Sequence, residues 1–290
     1  MPFYHVSPRL SNCPRYLFPL RISSLTSPSI KSTIGELLWK TGVISTAHYI
    51  YESAIAYSDV GPDQRLTHQG LLRILQEAAA IASDEAGYGL KDIPRTGVHW
   101  ILTGWRVELR ERPLWRAGLR VETWPRTMDG FLSDRDFLVW DGDVLAAQGT
   151  SRWVLMDAVT GRLTRVTDVV RAAYQDQMDT RFVFDGAALT SNGKTPEDAP
   201  VSFAATVGRR DIDTNHHVNN LHYLDYAIEA LPEEVYQTLP ATVEIAFRRQ
   251  ILLGTPIRCL YSLTEDGKHQ VEIQSETGGK VTHHAFVWFY

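Results

Sequence analysis

The chain has 290 residues, of which 44% are hydrophobic and 22% are charged, as in an ordinary soluble globular protein. Its formal net charge of −5 argues against nucleic acid as the main partner. No apolar run approaches the length of about 18 residues that a membrane span needs, so no stable membrane insertion is expected. The two cysteines, Cys13 and Cys259, favour a reducing compartment without a structural disulfide.

Residues 1–46 differ in composition from the rest of the chain. They contain no acidic residue before Glu36 but are rich in Arg, Ser and Pro, which is typical of an organelle transit peptide. A misassigned start or a disordered extension explains the same composition. We therefore expect a cytoplasmic protein, with a plastid location as the alternative if the leader is a transit peptide.

Residues 47–157 predict a long helix and a run of strands. Thr67 is a good N-cap, the apolar residues after it recur at helical spacing, and Gly87 and Gly89 end the helix. Strand-like runs lie at 48–57, 99–109, 119–124, 131–140 and 144–156. This order predicts an α+β unit in which a sheet wraps a helix.

The same order recurs in residues 201–290, after a predicted linker at 158–200 with a short helix at 167–178. The second helix begins at Asn219 or Asn220 and stops at Pro232. Strands are predicted at 243–249, 256–264, 270–276 and 281–289. An offset of 152 residues aligns three identical pairs, which favours a duplication: Asp59 with Asp211, Leu72 with Leu224, and Glu77 with Glu229.

A polar segment lies directly before the second helix. Asp213, Asn215 and His217 alternate along it, and residues at spacing two share one face of an extended segment. The first N–H groups of the helix suit a developing oxyanion, and histidine is a suitable base for deprotonating water. Asn215 would then hold the oxygen of an acyl carbonyl or the water, and Asp213 would stabilise charge on the imidazole. A polar turn with Asx capping explains the same composition.

Three histidines cluster in this segment, but their spacing is not that of a helical zinc site. Two ligands on a helix should lie four residues apart, whereas Leu221 is four residues after His217 and Val218 is four residues before His222. With His216 as the third histidine, the cluster gives no reason to expect a metal.

The segment DIDTNHHVNNLHYLDYAIEALP, residues 211–232, resembles the active-site signature of the acyl-acyl-carrier-protein thioesterases. These enzymes release fatty acids from the carrier protein in plastids and many bacteria. Further matching segments keep the family order over about residues 48–290: GVHWILTGWRVEL at 97–109, VETWPR at 121–126, RDF at 135–137, SRWVLMD at 151–157, RLTR at 162–165 and FRR at 247–249.

The resemblance implies a double hotdog fold, with two tandem units that each wrap a sheet around a helix. It implies hydrolysis of a fatty acyl-[acyl-carrier-protein] thioester to free fatty acid and carrier protein, which terminates fatty acid synthesis without a metal or organic cofactor. Asp213, Asn215 and His217 would be catalytic. The 152-residue offset places Asp63 and Arg65 at the positions of Asn215 and His217, so the first unit would shape the acyl pocket instead.

Other candidates lie outside the polar segment. Leu75, Trp100 and Asn219 are candidates for binding the acyl chain, although a tryptophan is as readily explained as a core residue. Four arginines flank the catalytic segments and are candidates for docking an acidic carrier protein, unless they serve only as surface charge: Arg209, Arg210, Arg248 and Arg249.

The chain departs from the family at Gln250 and Ile251. Many relatives have Glu at the first position, and plant members have Cys at the second, so Ile251 excludes a thiol nucleophile there. Gln250 can orient water but cannot accept its proton, which leaves His217 as the sole base.

Two other functions stay open, an acyl-coenzyme A thioesterase and an acyl-binding protein with weakened catalysis. Long sheet edges also make a homodimer conceivable. The sequence leaves acyl chain length open, because one methylene contributes only about 0.8 kcal/mol of burial.

Overall fold

The computed structural model describes residues 48–181, 183–184 and 193–290. The predicted leader and part of the predicted linker lie outside the described residues. The ten described strands are β1 (Tyr49–Ala54), β2 (Val98–Leu109), β3 (Gly118–Asp129), β4 (Leu132–Asp141), β5 (Val144–Asp157), β6 (Val201–Thr206), β7 (Thr242–Phe247), β8 (Pro256–Leu263), β9 (His269–Thr277) and β10 (Lys280–Phe289). The described helices are α1 (His68–Glu85), α2 (Ile93–Thr96), α3 (Asp168–Ala173), α4 (Asn220–Glu229) and α5 (Glu233–Gln237).

The strands form one ten-stranded antiparallel sheet in the order β1-β3-β4-β5-β2-β7-β10-β9-β8-β6. Its centre is the pairing of β2 with β7, which runs from Gly104 opposite Ala246 to Glu108 opposite Thr242. Counted outward from this junction, the first half runs β2, β5, β4, β3, β1 and the second half runs β7, β10, β9, β8, β6. Strands at the same distance from the junction are therefore equivalent, since each second-half label is the first-half label plus five. The first half, β1 to β5 with α1, and the second half, β6 to β10 with α4, are therefore repeats related by an approximate two-fold axis.

The 152-residue offset is confirmed in detail over the first part of each repeat. It superimposes the bounds of β1 on those of β6 and the helix cap Thr67 on Asn219. The residue with a left-handed backbone also repeats, because both Gln64 and His216 have a φ angle of 62°. The repeats differ in helix length, since α1 has 18 residues and α4 has 10.

Several elements differ from the sequence-based prediction, among them one edge strand, one strand end and the linker helix. Strand β6 is not predicted at all, because it is an edge strand whose side chains are mostly exposed and give little apolar alternation. The second-half strand expected to reach residue 249 ends at Phe247. The helix expected at 167–178 is only the six-residue α3 followed by a separate 3-10 turn, Gln175–Gln177.

The core lies between the sheet and its two long helices and contains residues of both halves. Leu71, Leu72 and Ala78 of α1 are at most 1% exposed and pack in the same cluster as Leu224 of α4 and Ile245 of β7. Both helices therefore cover one face of the shared sheet, and the segments that precede their N-termini meet the same core. Among the described residues, no helix is long and apolar enough to cross a membrane.

Candidate active site

The polar segment before α4 folds as a tight loop, and the prediction of an extended run is wrong. Ile212 forms an antiparallel bridge with Val218, so the chain must reverse direction between them. The Asp213 N–H donates to the His217 carbonyl at 2.9 Å, and the Asn215 N–H donates to Asp213 Oδ1 at 2.8 Å. The second bond is an Asx turn, the alternative that the composition also suggested.

Asp213, Asn215 and His217 nevertheless line one cavity, of about 630 Å³. The Asp213 carboxylate and the His217 imidazole are close, with Oδ1 and Nδ1 3.7 Å apart and both side chains less than one fifth exposed. His217 Nδ1 also lies 3.2 Å from the Val218 carbonyl oxygen. The loop thus brings a carboxylate, a carboxamide and an imidazole to the cavity.

The N-terminus of α4 borders the same cavity through Asn219 and Asn220. The Asn219 side chain caps the helix by accepting the Leu221 N–H at 3.0 Å. The Val218 N–H donates to the Ile251 carbonyl at 2.9 Å, which fixes the loop to the segment after β7. Within the described part of the chain the Asn220 N–H has no hydrogen-bond acceptor, as is usual for the first N–H groups of a helix, and Asn220 is one of the residues that line the cavity.

The first half supplies most of the remaining wall. The contributing side chains come from the second half of α1, from the strands β2 to β5 and from the segments beside them, and most are apolar: Ala79, Ala80, Ile81, Leu90, Ile93, Trp100, Ile101, Leu102, Met128 and Trp153. An apolar wall from one repeat therefore faces a polar loop from the other.

The predicted linker takes part in this wall through Tyr174, which follows α3 and is 1% exposed. Its hydroxyl accepts the Trp100 Nε1–H at 2.9 Å and lies 2.9 Å from Ser83 Oγ. Burial raises the pKa of Tyr174, so the phenol is neutral at ordinary pH. The segment after α3 thus contributes to the cavity wall through Tyr174 and is not merely a connection.

The candidates for acyl binding separate into two groups. Trp100 and Asn219 border the cavity, whereas Leu75 does not. Leu75 is fully buried on the sheet-facing stripe of α1 and points at Gly149 of β5. The cavity borders the neighbouring stripe of that helix, which includes Ala79 and Ala80.

The remaining candidates are exposed and lie outside the cavity lining. Gln250 follows β7 with an exposed side chain. The four arginines are also exposed and occupy the segments on either side of the polar loop: Arg209 and Arg210 in the turn before it, Arg248 and Arg249 after β7. Arg210 is paired with a neighbour, Nε to Asp211 Oδ1 at 3.4 Å.

Besides Asp84, which is paired with Lys91, sequence reasoning missed one charged residue of the cavity, Arg135. It lies on β4 and is only 4% exposed, and burial lowers its pKa to about 10. A signal was present, because Arg135 has the same strand parity as the buried Phe137 and Val139 and must share their face.

Comparison with known proteins gives the family. Residues 47–174 match the family model described as Acyl-ACP thioesterase N-terminal domain, and residues 195–289 match Acyl-ACP thioesterase C-terminal domain. The oleoyl-acyl carrier protein thioesterase 2, chloroplastic, of Arabidopsis thaliana is 28% identical over 228 residues, which are 73% of this chain and 60% of that protein. The dodecanoyl-[acyl-carrier-protein] hydrolase, chloroplastic, of Cinnamomum camphora is 26% identical over 228 residues, 73% of this chain and 58% of that protein. The chain thus spans about three fifths of the length of these relatives.

Solved structures agree on the fold. An acyl-ACP thioesterase from Bacteroides thetaiotaomicron superimposes with a TM-score of 0.72 at 23% identity, covering 84% of this chain and 98% of the other. The 12:0-ACP thioesterase from Umbellularia californica gives a TM-score of 0.72 at 21% identity, covering 84% and 96%. The predicted double hotdog is confirmed, and with both of its domain models matched the chain belongs to the acyl-ACP thioesterase family.

Proposed function

We propose that this protein hydrolyses the thioester between a fatty acyl group and acyl carrier protein, releasing the free fatty acid and the carrier and so ending chain growth. The observation that carries the proposal is the meeting of Asp213, Asn215 and His217 with a largely apolar cavity. An acyl chain fits the apolar wall, and its carbonyl then lies at the polar loop. Family membership supports the same reaction.

His217 acts as the general base in this proposal. The Val218 carbonyl oxygen beside Nδ1 can only accept a hydrogen bond, so it favours the tautomer with the proton on Nδ1. Nε2 then carries the lone pair that takes a proton from water. The Asp213 carboxylate, 3.7 Å from Nδ1, stabilises the imidazolium that results.

The oxyanion is stabilised at the start of α4. As the water oxygen bonds to the carbonyl carbon, negative charge develops on the carbonyl oxygen, and the Asn220 N–H at the positive end of the helix can bind it. The Asn215 carboxamide lines the same region and orients the water or the thioester oxygen. The C–S bond then breaks, and the protonated His217 gives its proton to the leaving sulfur.

Gln250 has no acid or base role in this scheme. Its side chain is exposed and is not part of the cavity lining, and a carboxamide cannot accept a proton from water at ordinary pH. Replacing it with glutamate therefore tests whether this position has lost a function or has none here.

The carrier protein docks on the exposed arginines that flank the loop. Arg209 and Arg210 precede the loop, and Arg248 and Arg249 follow β7, so an acidic partner bound there would have its prosthetic arm close to the cavity. We expect Arg209→Glu to raise the KM for acyl carrier protein substrates and to change hydrolysis of the matching coenzyme A thioester little.

The experiment measures fatty acid release from carrier and coenzyme A thioesters by the purified chain. The test variant is His217→Asn, and the matched control is His216→Asn, an exposed neighbour outside the cavity lining where asparagine tolerates the left-handed backbone. Loss of a general base is expected to lower kcat by about 100-fold or more for His217→Asn, with the control within about threefold of wild type.

Three outcomes are informative. A wild type that prefers carrier thioesters and depends on His217 supports the proposal. A wild type that hydrolyses only coenzyme A thioesters assigns the other thioesterase activity. A wild type that binds acyl chains without hydrolysing them, and becomes active as Gln250→Glu, is a binding protein and contradicts the proposal.

A further inference from the structure

The cavity wall contains a polar side chain that the fold leaves without a hydrogen bond. Gln76 is half-buried on α1 and lines the cavity among mostly apolar neighbours. Within residues 48–181, 183–184 and 193–290, its Oε1 is buried and meets no donor, and its Nε2 meets no acceptor. A buried polar atom without a partner destabilises a protein, so stability does not explain why this position carries a carboxamide.

The second repeat shows that the fold does not require a carboxamide at this position. The 152-residue offset places Gln76 at the position of Ile228 on α4, which is 8% exposed and packs in the main hydrophobic core. Gln69, seven residues earlier on the same face of α1, is also half-buried but does not line the cavity. What distinguishes Gln76 from both residues is therefore its contact with the cavity.

Gln76 lies at the same level of the cavity as the start of α4. The two repeats are related by a two-fold axis and their strands β2 and β7 run antiparallel, so α1 and α4 run antiparallel as well. Leu72 and Leu224 are equivalent residues of the two helices and pack in one cluster. Gln76 follows Leu72 by four residues, which is about one turn or 6 Å along the helix. Asn220 precedes Leu224 by the same step, and in antiparallel helices the two steps lead in the same direction.

We infer that Gln76 is a catalytic residue, whose Nε2–H donates to the carbonyl oxygen of the bound thioester as a second donor beside the Asn220 N–H. This bond strengthens as water adds to the carbonyl carbon and the oxygen becomes negative, and it weakens when the C–S bond breaks and the carbonyl forms again. No proton leaves the carboxamide, so the proton transfers through His217 are unchanged. The inference rests on the proposed function, because it completes the oxyanion site of the same reaction with a group from the first repeat.

The test compares Gln76→Leu with Gln69→Leu, which is the same change on the same face of α1 but outside the cavity lining. Gln76→Leu is expected to lower kcat by about 100-fold, as loss of one oxyanion donor does, while KM stays within about threefold of wild type. Its Tm should equal or exceed that of wild type, because the change removes a buried atom without a partner. Gln69→Leu should leave both kcat and KM within about threefold.

A second variant, Gln76→Glu, separates hydrogen-bond donation from the other roles of a polar group. An ionised glutamate keeps the shape of the side chain but has no N–H, and its charge repels the developing oxyanion, so kcat should fall at least as far as in Gln76→Leu. A Gln76→Glu enzyme as active as wild type would show that an oxygen at this position orients the water, and it would overturn the inference. A Gln76→Leu enzyme with a kcat within about threefold of wild type also overturns it, and so does one that loses activity only in proportion to its unfolded fraction.

If wild type hydrolyses no thioester, the proposed function fails on its own and the donor role of Gln76 is decided by binding. A free fatty acid brings a carboxylate oxygen to the place of the carbonyl oxygen, whereas the primary alcohol of equal chain length carries no negative charge. Binding of each is followed by fluorescence of Trp100 and Trp153, which line the cavity. Binding of the acid that is about tenfold weaker in Gln76→Leu, with unchanged binding of the alcohol, would support the inference. Affinities for the acid that do not differ, or that fall only as far as those for the alcohol, would overturn it.

Discussion

Replacing the N-cap of α4, Asn219→Ala, should affect activity far more than stability. The side chain makes one capping bond, to the Leu221 N–H at 3.0 Å, and loss of such a cap costs about 1 kcal/mol of unfolding free energy. For a chain of this size that is roughly 2–4 °C in Tm. The same substitution releases the first turn of α4, whose first residue, Asn220, lines the cavity, and a donor displaced by about 1 Å can cost about 100-fold in rate.

The repeat provides a matched control. Thr67 occupies the equivalent cap of α1 and accepts the Gly70 N–H at 3.1 Å, but it does not line the cavity. Thr67→Ala should therefore lower the Tm at least as much as Asn219→Ala, because its hydroxyl also donates to the Asp59 carbonyl at 3.0 Å. It should leave kcat/KM within about threefold of wild type.

The assay pairs thermal unfolding with initial rates of fatty acid release, both measured well below the unfolding transition. Equal losses of activity in the two variants would refute the reasoning, because they would attribute the effect of Asn219 to stability alone. An active Asn219→Ala enzyme would refute the assignment of the oxyanion site to the start of α4.

Three further predictions concern stability and the cavity. Burial lowers the pKa of His68 below 6.5, so just below that pH the unfolded chain binds more protons than the folded chain. The contribution of His68 to the free energy of unfolding is therefore complete above pH 6.5 and is lost as the solution is acidified. The variant His68→Gln should reduce this loss of stability in urea titrations. Gly70→Ala places a Cβ 2.3 Å from the Asp59 carbonyl oxygen and should cost about 1–3 kcal/mol in the same titrations. Ala79→Leu fills part of the cavity and should shift hydrolysis toward shorter acyl chains in the substrate panel.

Each of these has a control that the structure supplies. Gly118→Ala introduces a Cβ with no atom within 4 Å, so a comparable loss there would show that the Gly70 result is not steric. Leu75→Ala should cost about 2–5 kcal/mol without changing chain-length preference, because Leu75 faces the core. Unchanged acid sensitivity in His68→Gln would mean that other buried histidines, such as His284, dominate.

Most of the fold could be predicted because its long elements carry strong periodicity. The second half of β2 and helix α1 alternate between buried and more exposed positions at strand and helix spacing, and the cap at Thr67 fixes where α1 begins. The offset of 152 residues was inferred from three identical pairs, yet it aligns both ends of β1 with those of β6 without an error of even one residue. Strand β6 was missed because an exposed edge strand is held by backbone pairing, which leaves no mark in side-chain polarity.

The site was harder to predict than the fold. Asp213, Asn215 and His217 were proposed from residue type and do line the cavity, but the extended geometry predicted for them was wrong, because a two-residue spacing cannot distinguish a strand from an Asx turn. Leu75 and Ala79 lie on adjacent stripes of one helix, and only the cavity itself shows which stripe borders it. Arg135 could have been found by asking why a charge shares the parity of buried apolar residues on β4.

The junction of β2 with β7 limits how such proteins can recombine. Each half contributes one strand to this junction. The two strands pair at five positions, and the central pair is Arg106 opposite Glu244. A chimera that takes its first half from one relative and its second half from another therefore creates a new seam between strands that did not evolve together. A directly opposed pair of opposite charges tolerates few replacements, because like charges at those two positions would repel each other. The strands β1 and β6 lie at the two ends of the sheet and do not pair with a strand of the other half, so they do not limit the exchange. Exchange of halves should succeed most often between relatives that share this central pair.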